Sequence, residues 1–143
     1  MAAVAPPASF FRRLAASCYD LLVLAGVLML TSFVLVIARD GAAIPAGTPA
    51  FQVFVAAQVA VFFIGFWLRG GQTPGMRAWH IQVERIDGTS VTLRACAIRF
   101  AAALISVAAL GLGVAWMLVD PDGRMWHDRL SGTRVAWLKQ HPE

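Results

Sequence analysis

Three ionisable residues, Arg13, Asp20 and Asp128, have the types and the setting of a buried charged site. Asp20 directly precedes a long apolar run, and a carboxylate at the centre of a membrane helix costs about 2.5–3.5 kcal/mol. Such a group needs a partner, a wet cavity or a proton. Arg13 lies seven residues earlier, on the same helical face but about 10 Å along the axis. A direct bond would be long, so water, Ser17 or another segment could bridge the two; alternatively, Asp20 is an interfacial anchor.

Asp128 lies in a second polar cluster, beside His127 and Arg129. Adjacent residues point in different directions, and no third ligand is suitably spaced, so this cluster does not predict a metal site. The simplest interpretation is a carboxylate that accepts hydrogen bonds from backbone or arginine at a helix end. It would also supply the counter-charge that Arg13 needs, if both lie on one side of the membrane. Because no nucleophile–base pair or cofactor motif emerges, we expect neither enzymatic activity nor a cofactor.

The elements that position these residues are predicted to be membrane helices. The 143-residue chain is 59% hydrophobic and 14% charged, whereas soluble domains average about 45–50% apolar and about 25% charged residues. Three runs carry no charge: Leu21–Ala38, Ala50–Leu68 and Phe100–Val119. A helix of about 20 apolar residues crosses a bilayer core. The formal net charge of +4 comes from basic residues that flank these runs, which suits lipid headgroups and does not indicate nucleic-acid binding.

Two short stretches outside the runs have the composition of strands. Residues 79–86 alternate apolar and polar side chains through Val83 and lead to Asp87-Gly88, a tight-turn signal. Residues 132–138 form the second stretch. Because isolated strands leave backbone groups unpaired, we expect the two to pair with each other. Residues 71–77 contain two glycines but lack the spacing of a phosphate-binding loop, so they predict a structural turn.

The distribution of basic residues predicts the orientation in a bacterial inner membrane. Cytoplasmic loops collect lysine and arginine; these residues precede the first run and follow the second, whereas the first loop holds only Arg39. The N-terminus is therefore predicted to be cytoplasmic. Three full crossings would leave the basic C-terminal tail outside, on the side opposite to Arg13.

The third apolar run offers two ways to resolve this conflict. Gly111 and Gly113 split the run, so it could form a re-entrant hairpin that returns the tail to the cytoplasm. The alternative is a plain third span whose glycines are packing points. We favour the hairpin because the charge distribution and the strand pairing both agree with it.

The predicted fold is an all-α membrane protein. It is a small bundle of two full spans plus the third, glycine-broken segment, with a short two-stranded cytoplasmic element. A single membrane domain would cover residues 10–138, after a flexible N-terminus of residues 1–9 and before a C-terminal tail of residues 139–143.

The ordered combination of these motifs resembles the RDD family of small bacterial membrane proteins, over about residues 10–135. The matching positions run along the chain: Arg12 to Ala16, Tyr19-Asp20, Gly71 to Gly75, Val83, Asp87-Gly88, Arg99, and His127 to Thr133. The family is named for an arginine and two aspartates, and the resemblance assigns these to Arg13, Asp20 and Asp128. Arg12, Arg99, His127 and Arg129 are supporting candidates. The family's link to cation–proton exchange in some members implies transport.

Two functions are compatible with these residues. A small-ion or solute transport component, acting as an oligomer and coupled to protons through Asp20, fits a carboxylate at the membrane. However, three short membrane segments can hardly enclose a pathway alone, so this function needs a homo-oligomer or a larger complex. The alternative is a non-catalytic accessory or assembly factor of such a complex.

Overall fold

The computed structural model describes residues 5–138 of the chain. Six α-helices and two β-strands occur within these residues. In chain order they are α1 (Phe10–Ile37), α2 (Pro49–Gly70), α3 (Pro74–Ala78), β1 (Ile81–Arg85), α4 (Leu93–Ala108), α5 (Leu112–Ala115), α6 (Trp126–Ser131) and β2 (Thr133–Trp137).

The helices α1 and α2 are long and apolar enough to cross a membrane, as the first two apolar runs predicted. In lipid, every backbone polar group must be bonded within its own segment, and an apolar run achieves this as a helix. Pro49 occupies the first turn of α2, where its missing N–H is not needed. Gly71 ends α2 with a left-handed φ of 67°, a conformation that favours glycine.

The third apolar run is broken at the predicted place. The helix α4 is followed by α5 and a 3₁₀ turn at Trp116–Leu118, and the two parts are bent by 108°. Leu110 and Gly111 make the bend with φ values of 56° and 77°. Thr92 caps α4, and its hydroxyl accepts the N–H of Ala95 at 3.3 Å. Re-entry of this run on one side of the membrane stays a prediction.

The two predicted strands pair with each other. β1 and β2 are antiparallel, and Val83 lies opposite Val135. The other edge of β2 is occupied by residues 6–8, because the N–H of Ala8 donates to Val135 O at 2.9 Å and the N–H of Trp137 donates to Pro6 O at 2.8 Å. Part of the N-terminus that we expected to be flexible therefore lies against the sheet, where it satisfies open backbone groups. Residues 1–4 and the predicted tail 139–143 lie outside the described residues.

The buried core lies at one end of the molecule. We call α3, β1, α6 and β2 the cap; these elements pack against the first turns of α1 and α4. The core cluster consists of Ala8, Ala16, Trp67, Ile81, Val83, Cys96 and Val135. In contrast, only 11% of the most apolar window of α1 and 6% of that of α2 are buried. The exposed apolar surfaces of α1 and α2 suit contact with lipid or with other helices.

Candidate functional site

Asp128 is fully buried in the cap, and arginines pair with both of its oxygens. Arg13 of α1 donates from Nη1 to Oδ2 at 2.5 Å, and Arg99 of α4 donates from Nη1 to Oδ1. The exposed fractions of these three side chains are 0% for Asp128, 5% for Arg13 and 2% for Arg99. The N–H of Met125 also donates to Oδ2 at 3.1 Å, so Asp128 caps the first turn of α6. One carboxylate thus joins three helices. We call Arg13, Arg99 and Asp128 the arginine cluster.

The arginine cluster has more positive than negative charge. Burial raises the pKa of Asp128, but the charges of Arg99 and Arg13 outweigh burial and hold this pKa well below its usual range. Arg99 also donates to Thr133 Oγ1 at 2.9 Å, and Ser131 Oγ lies 2.7 Å from the same oxygen. Removing one partner of a buried ion pair typically costs about 3–5 kcal/mol. The cluster therefore acts as a clamp that holds the cap on α1 and α4.

His127 lies beside the same carboxylate but is neutral. Its Nε2 is 3.8 Å from Asp128 Oδ1. Burial and the charge of Arg99 lower the pKa of His127 to about 3, against the opposite effect of Asp128. Its Nδ1 is buried and has no hydrogen-bond partner among residues 5–138. Near neutral pH this imidazole can accept a hydrogen bond but carries no charge.

Asp20 is bound by neutral donors instead of arginines. The hydroxyl of Thr73 donates to Oδ2, and the N–H of Gly75 donates to Oδ1 at 2.8 Å. Thr73 also caps α3 by accepting the N–H of Met76 at 3.2 Å. Only 2% of Asp20 is exposed, and it forms no ion pair within the described part of the chain. We call Asp20, Thr73 and Gly75 the Asp20 site.

Gly75 allows α3 to approach α1 closely. A Cβ at this position would lie 2.1 Å from the carbonyl oxygen of Ala16 and 3.0 Å from Cγ of Asp20. From the sequence, residues 71–77 predict only a turn; the structure shows that this turn provides both partners of Asp20. A threonine directly before a proline is typical of a helix start, where the first backbone N–H groups have no partner within the helix. This pattern therefore indicated where free N–H donors lie.

The structure divides the three residues of the predicted site between two places. Arg13 binds Asp128, in the counter-charge role that the sequence suggested, and no hydrogen bond or ion pair links it to Asp20 within residues 5–138. Ser17 does not bridge the two, because its hydroxyl donates to the carbonyl oxygen of Arg13 at 2.9 Å. A functional role for the three residues stays a prediction.

Two supporting candidates lie at the edge of the cap. The guanidinium of Arg12 lies over the ring of Trp137, 4.5 Å from its centroid, and donates to Trp79 O at 3.2 Å. Arg129 pairs with Asp120, a residue that the sequence analysis did not single out. Burial raises the pKa of Asp120, but hydrogen bonds from the backbone of Arg124 and from Arg129 lower it by more. The pKa of Asp120 therefore lies below its ordinary value. Both contacts stabilise loops of the cap.

The two sites differ in whether their charge can change. Within residues 5–138, no group of three His, Cys, Asp or Glu side chains could hold a metal ion. The arginine cluster keeps a fixed charge, whereas Asp20 is a carboxylate without a cationic partner among those residues. Asp20 is therefore the group at which a proton could be taken up or released.

A model of the RDD family matches residues 7–132, nearly the whole chain. The chain belongs to the RDD family. Neither the search of curated proteins nor that of solved structures gave a match. The matched range includes the arginine cluster and the Asp20 site. RDD membership and the two long apolar helices together indicate a membrane protein.

Proposed function

We propose that this RDD protein is a small-ion transport component that acts as an oligomer in the bacterial inner membrane, with its N-terminus in the cytoplasm. The transported species is a cation, and Asp20 couples its movement to that of a proton. The proposal includes no enzymatic step and no cofactor.

A polar face on α1 is the observation that carries the proposal. Arg13, Asp20 and Thr31 follow one another at intervals of seven and eleven residues, which keep nearly the same direction on a helix of about 3.6 residues per turn. Asp20 and Thr31 are about 16 Å apart along the axis. Thr31 donates to Oε1 of Gln58, near the middle of α2, at 2.8 Å. Polar groups thus extend from the cap into the apolar part of both helices.

Oligomerisation is needed because one chain offers too few helices to surround an ion. Binding sites at the bilayer midplane are usually built where several helices meet. The most apolar windows of α1 and α2 are only 11% and 6% buried, which leaves their faces available to other subunits. Small residues such as Gly26, Ala56 and Ala57 permit close contact between helices, and a Cβ at Gly26 would meet nothing within 4 Å.

Proton-coupled flux in liposomes tests the proposal. The purified full-length protein is reconstituted with a pH-sensitive dye inside the vesicles, and a sodium or a potassium gradient is applied. We expect the wild-type protein to move protons in response to one of these gradients. Asp20→Asn should abolish this flux while insertion into the membrane is retained, because an amide cannot take up the proton.

Asp40→Asn is the matched control. Asp40 is exposed in the loop after α1 and has a left-handed φ of 54°, a conformation that asparagine also adopts. This variant removes one negative charge outside the Asp20 site and should keep the flux. Full flux in Asp20→Asn, or no proton movement by the wild-type protein with either cation, would overturn the proposal.

A non-catalytic accessory role is the second candidate. The observation that favours it is that both oxygens of Asp20 already accept hydrogen bonds from Thr73 and Gly75. Asp20 would then help to hold α3 on α1, and the bare faces of α1 and α2 would bind a larger complex. On this reading, Asp20→Asn lowers the amount of folded protein without a specific flux defect.

A further inference from the structure

A cavity of about 240 Å³ lies in the described part of the chain, between the start of α1, the segment before it and the loop that precedes α6. It is lined by Pro7, Arg13, Ile86, Asp122, Arg124 and Arg134. Three lining residues are positive and one is negative, so the cavity attracts anions. Sites for drug-sized ligands have volumes of about 300–1,000 Å³, so this smaller cavity suits a small anionic group.

The arginines of this cavity have unused hydrogen-bond donors. Arg13 and Arg124 each have a buried Nε–H without a hydrogen-bond partner among residues 5–138. Only 5% of the Arg13 side chain is exposed, so water does not readily satisfy it, and an unpaired buried donor is costly. Arg13 therefore brings a buried cation with an unpaired donor to the lining of the cavity.

The carboxylate partners of Arg124 and Arg134 are exposed or partly exposed. Arg124 pairs with Asp122, whose side chain is 57% exposed. Arg134 donates from Nε to Glu84 at 2.6 Å, and the Glu84 side chain is 34% exposed. Exposed ion pairs contribute little to stability, so these two arginines can turn towards a ligand at small cost. Arg13 stays in place because Asp128 holds it.

We propose that this cavity binds the phosphate group of an anionic ligand, with Arg124 and Arg134 as hydrogen-bond donors and Arg13 as the buried third charge. Planar guanidinium groups suit phosphate oxygens because they offer two parallel N–H donors. Such a phosphate belongs either to a lipid headgroup or to free phosphate, and the cavity beside the start of a membrane helix is open to both. The inference is independent of transport, since binding needs no flux.

The test uses the full-length protein in maltoside detergent micelles, which contain no phosphate, and two probes. Phosphatidylglycerol is added to one set of micelles, and inorganic phosphate is added to another. Binding is read from the thermal midpoint and, for the lipid, from bound molecules counted by native mass spectrometry. We expect at least one probe to bind the wild-type protein, and Arg124→Gln to weaken this binding about tenfold or more, since charged hydrogen bonds are strong. Arg134→Gln is a second test should Arg124→Gln fail to fold.

Arg94→Gln is the matched control, because Arg94 is exposed at the start of α4 and does not line the cavity. It removes the same charge and should leave binding unchanged. Lipid binding that phosphate does not displace identifies a headgroup, and phosphate binding in lipid-free micelles identifies free phosphate; both support the proposal. If the wild-type protein binds neither probe, or if Arg94→Gln weakens binding as much as the cavity variants do, the proposal is overturned.

Discussion

Asp20 and Asp128 are both almost completely buried, yet their surroundings differ in one decisive respect. Two arginines bind Asp128, whereas a hydroxyl and a backbone N–H bind Asp20. A carboxylate that neutral donors hold can take up a proton without leaving an unpaired buried cation behind. If a carboxylate shared by two buried arginines took up a proton, both arginines would lose their counter-charge. The comparison assigns a structural role to Asp128 and leaves Asp20 as the group whose charge can change.

Removal of the charge at Asp128 should have the largest effect on stability. Asp128→Asn leaves Arg13 and Arg99 buried with no counter-charge, and we expect a loss of about 3–5 kcal/mol in the free energy of unfolding. Unfolding of the purified chain in detergent micelles with denaturant measures this loss. Asp87→Asn is the control, because Asp87 pairs with Arg85 in an exposed turn, and such pairs contribute at most about 1 kcal/mol.

The same measurement on Asp20→Asn sharpens the comparison. Asparagine can still accept the N–H of Gly75, and the Thr73 hydroxyl can reverse its role and accept the amide, so we expect a loss of only about 1 kcal/mol. Equal losses in Asp20→Asn and Asp128→Asn would contradict the different roles that we assign to the two carboxylates.

Gly75→Ala should have the next largest effect, because it separates α3 from α1. The added methyl group would overlap the carbonyl oxygen of Ala16, which is backbone and cannot move without shifting the helix. Overpacking of this kind costs about 1–3 kcal/mol, so the midpoint of thermal unfolding should fall. In the control, Gly26→Ala, the methyl group meets nothing within 4 Å and should slightly stabilise α1. A Gly75→Ala protein as stable as Gly26→Ala would rule out the close approach.

A smaller effect is expected from pH at His127. Its folded pKa of about 3 lies below the ordinary value of 6.5, so the unfolded chain binds a proton between these values and the folded chain does not. The contribution of His127 to the free energy of unfolding is therefore fully present above pH 6.5, and it is lost as the pH decreases towards about 3. Between pH 6.5 and 5 the loss should be about 1–2 kcal/mol.

Unfolding midpoints of the wild-type protein and of His127→Gln, measured at pH 7.5, 6.5 and 5, check this expectation. The variant should depend less on pH in this range, because it lacks the titrating imidazole. Identical pH profiles for the wild-type protein and His127→Gln would show that His127 is not shielded from protons near the arginine cluster.

Much of the fold could be predicted from local patterns. The apolar runs predicted α1 and α2, Gly111 and Gly113 predicted the break in the third run, and the alternation before Asp87 predicted β1. Each of these signals lies within a few residues. It reflects a local requirement, such as hydrogen bonding of the backbone in lipid or the conformational freedom of glycine at a bend.

The residue types and the order of the motifs determined that Arg13, Asp20 and Asp128 would be costly to bury and that each would need a partner. The sequence suggested Asp128 as the counter-charge of Arg13, but only the tertiary structure decided that Arg99 also binds Asp128 and that Thr73 and Gly75 bind Asp20. Asp128 lies 115 residues from Arg13, and Thr73 lies 53 residues from Asp20. Contacts over such separations depend on how α3, α4 and α6 pack around α1, and no local pattern encodes that arrangement. The physical reason is that charge fixes the need for compensation, whereas only packing brings the compensating group within bonding distance.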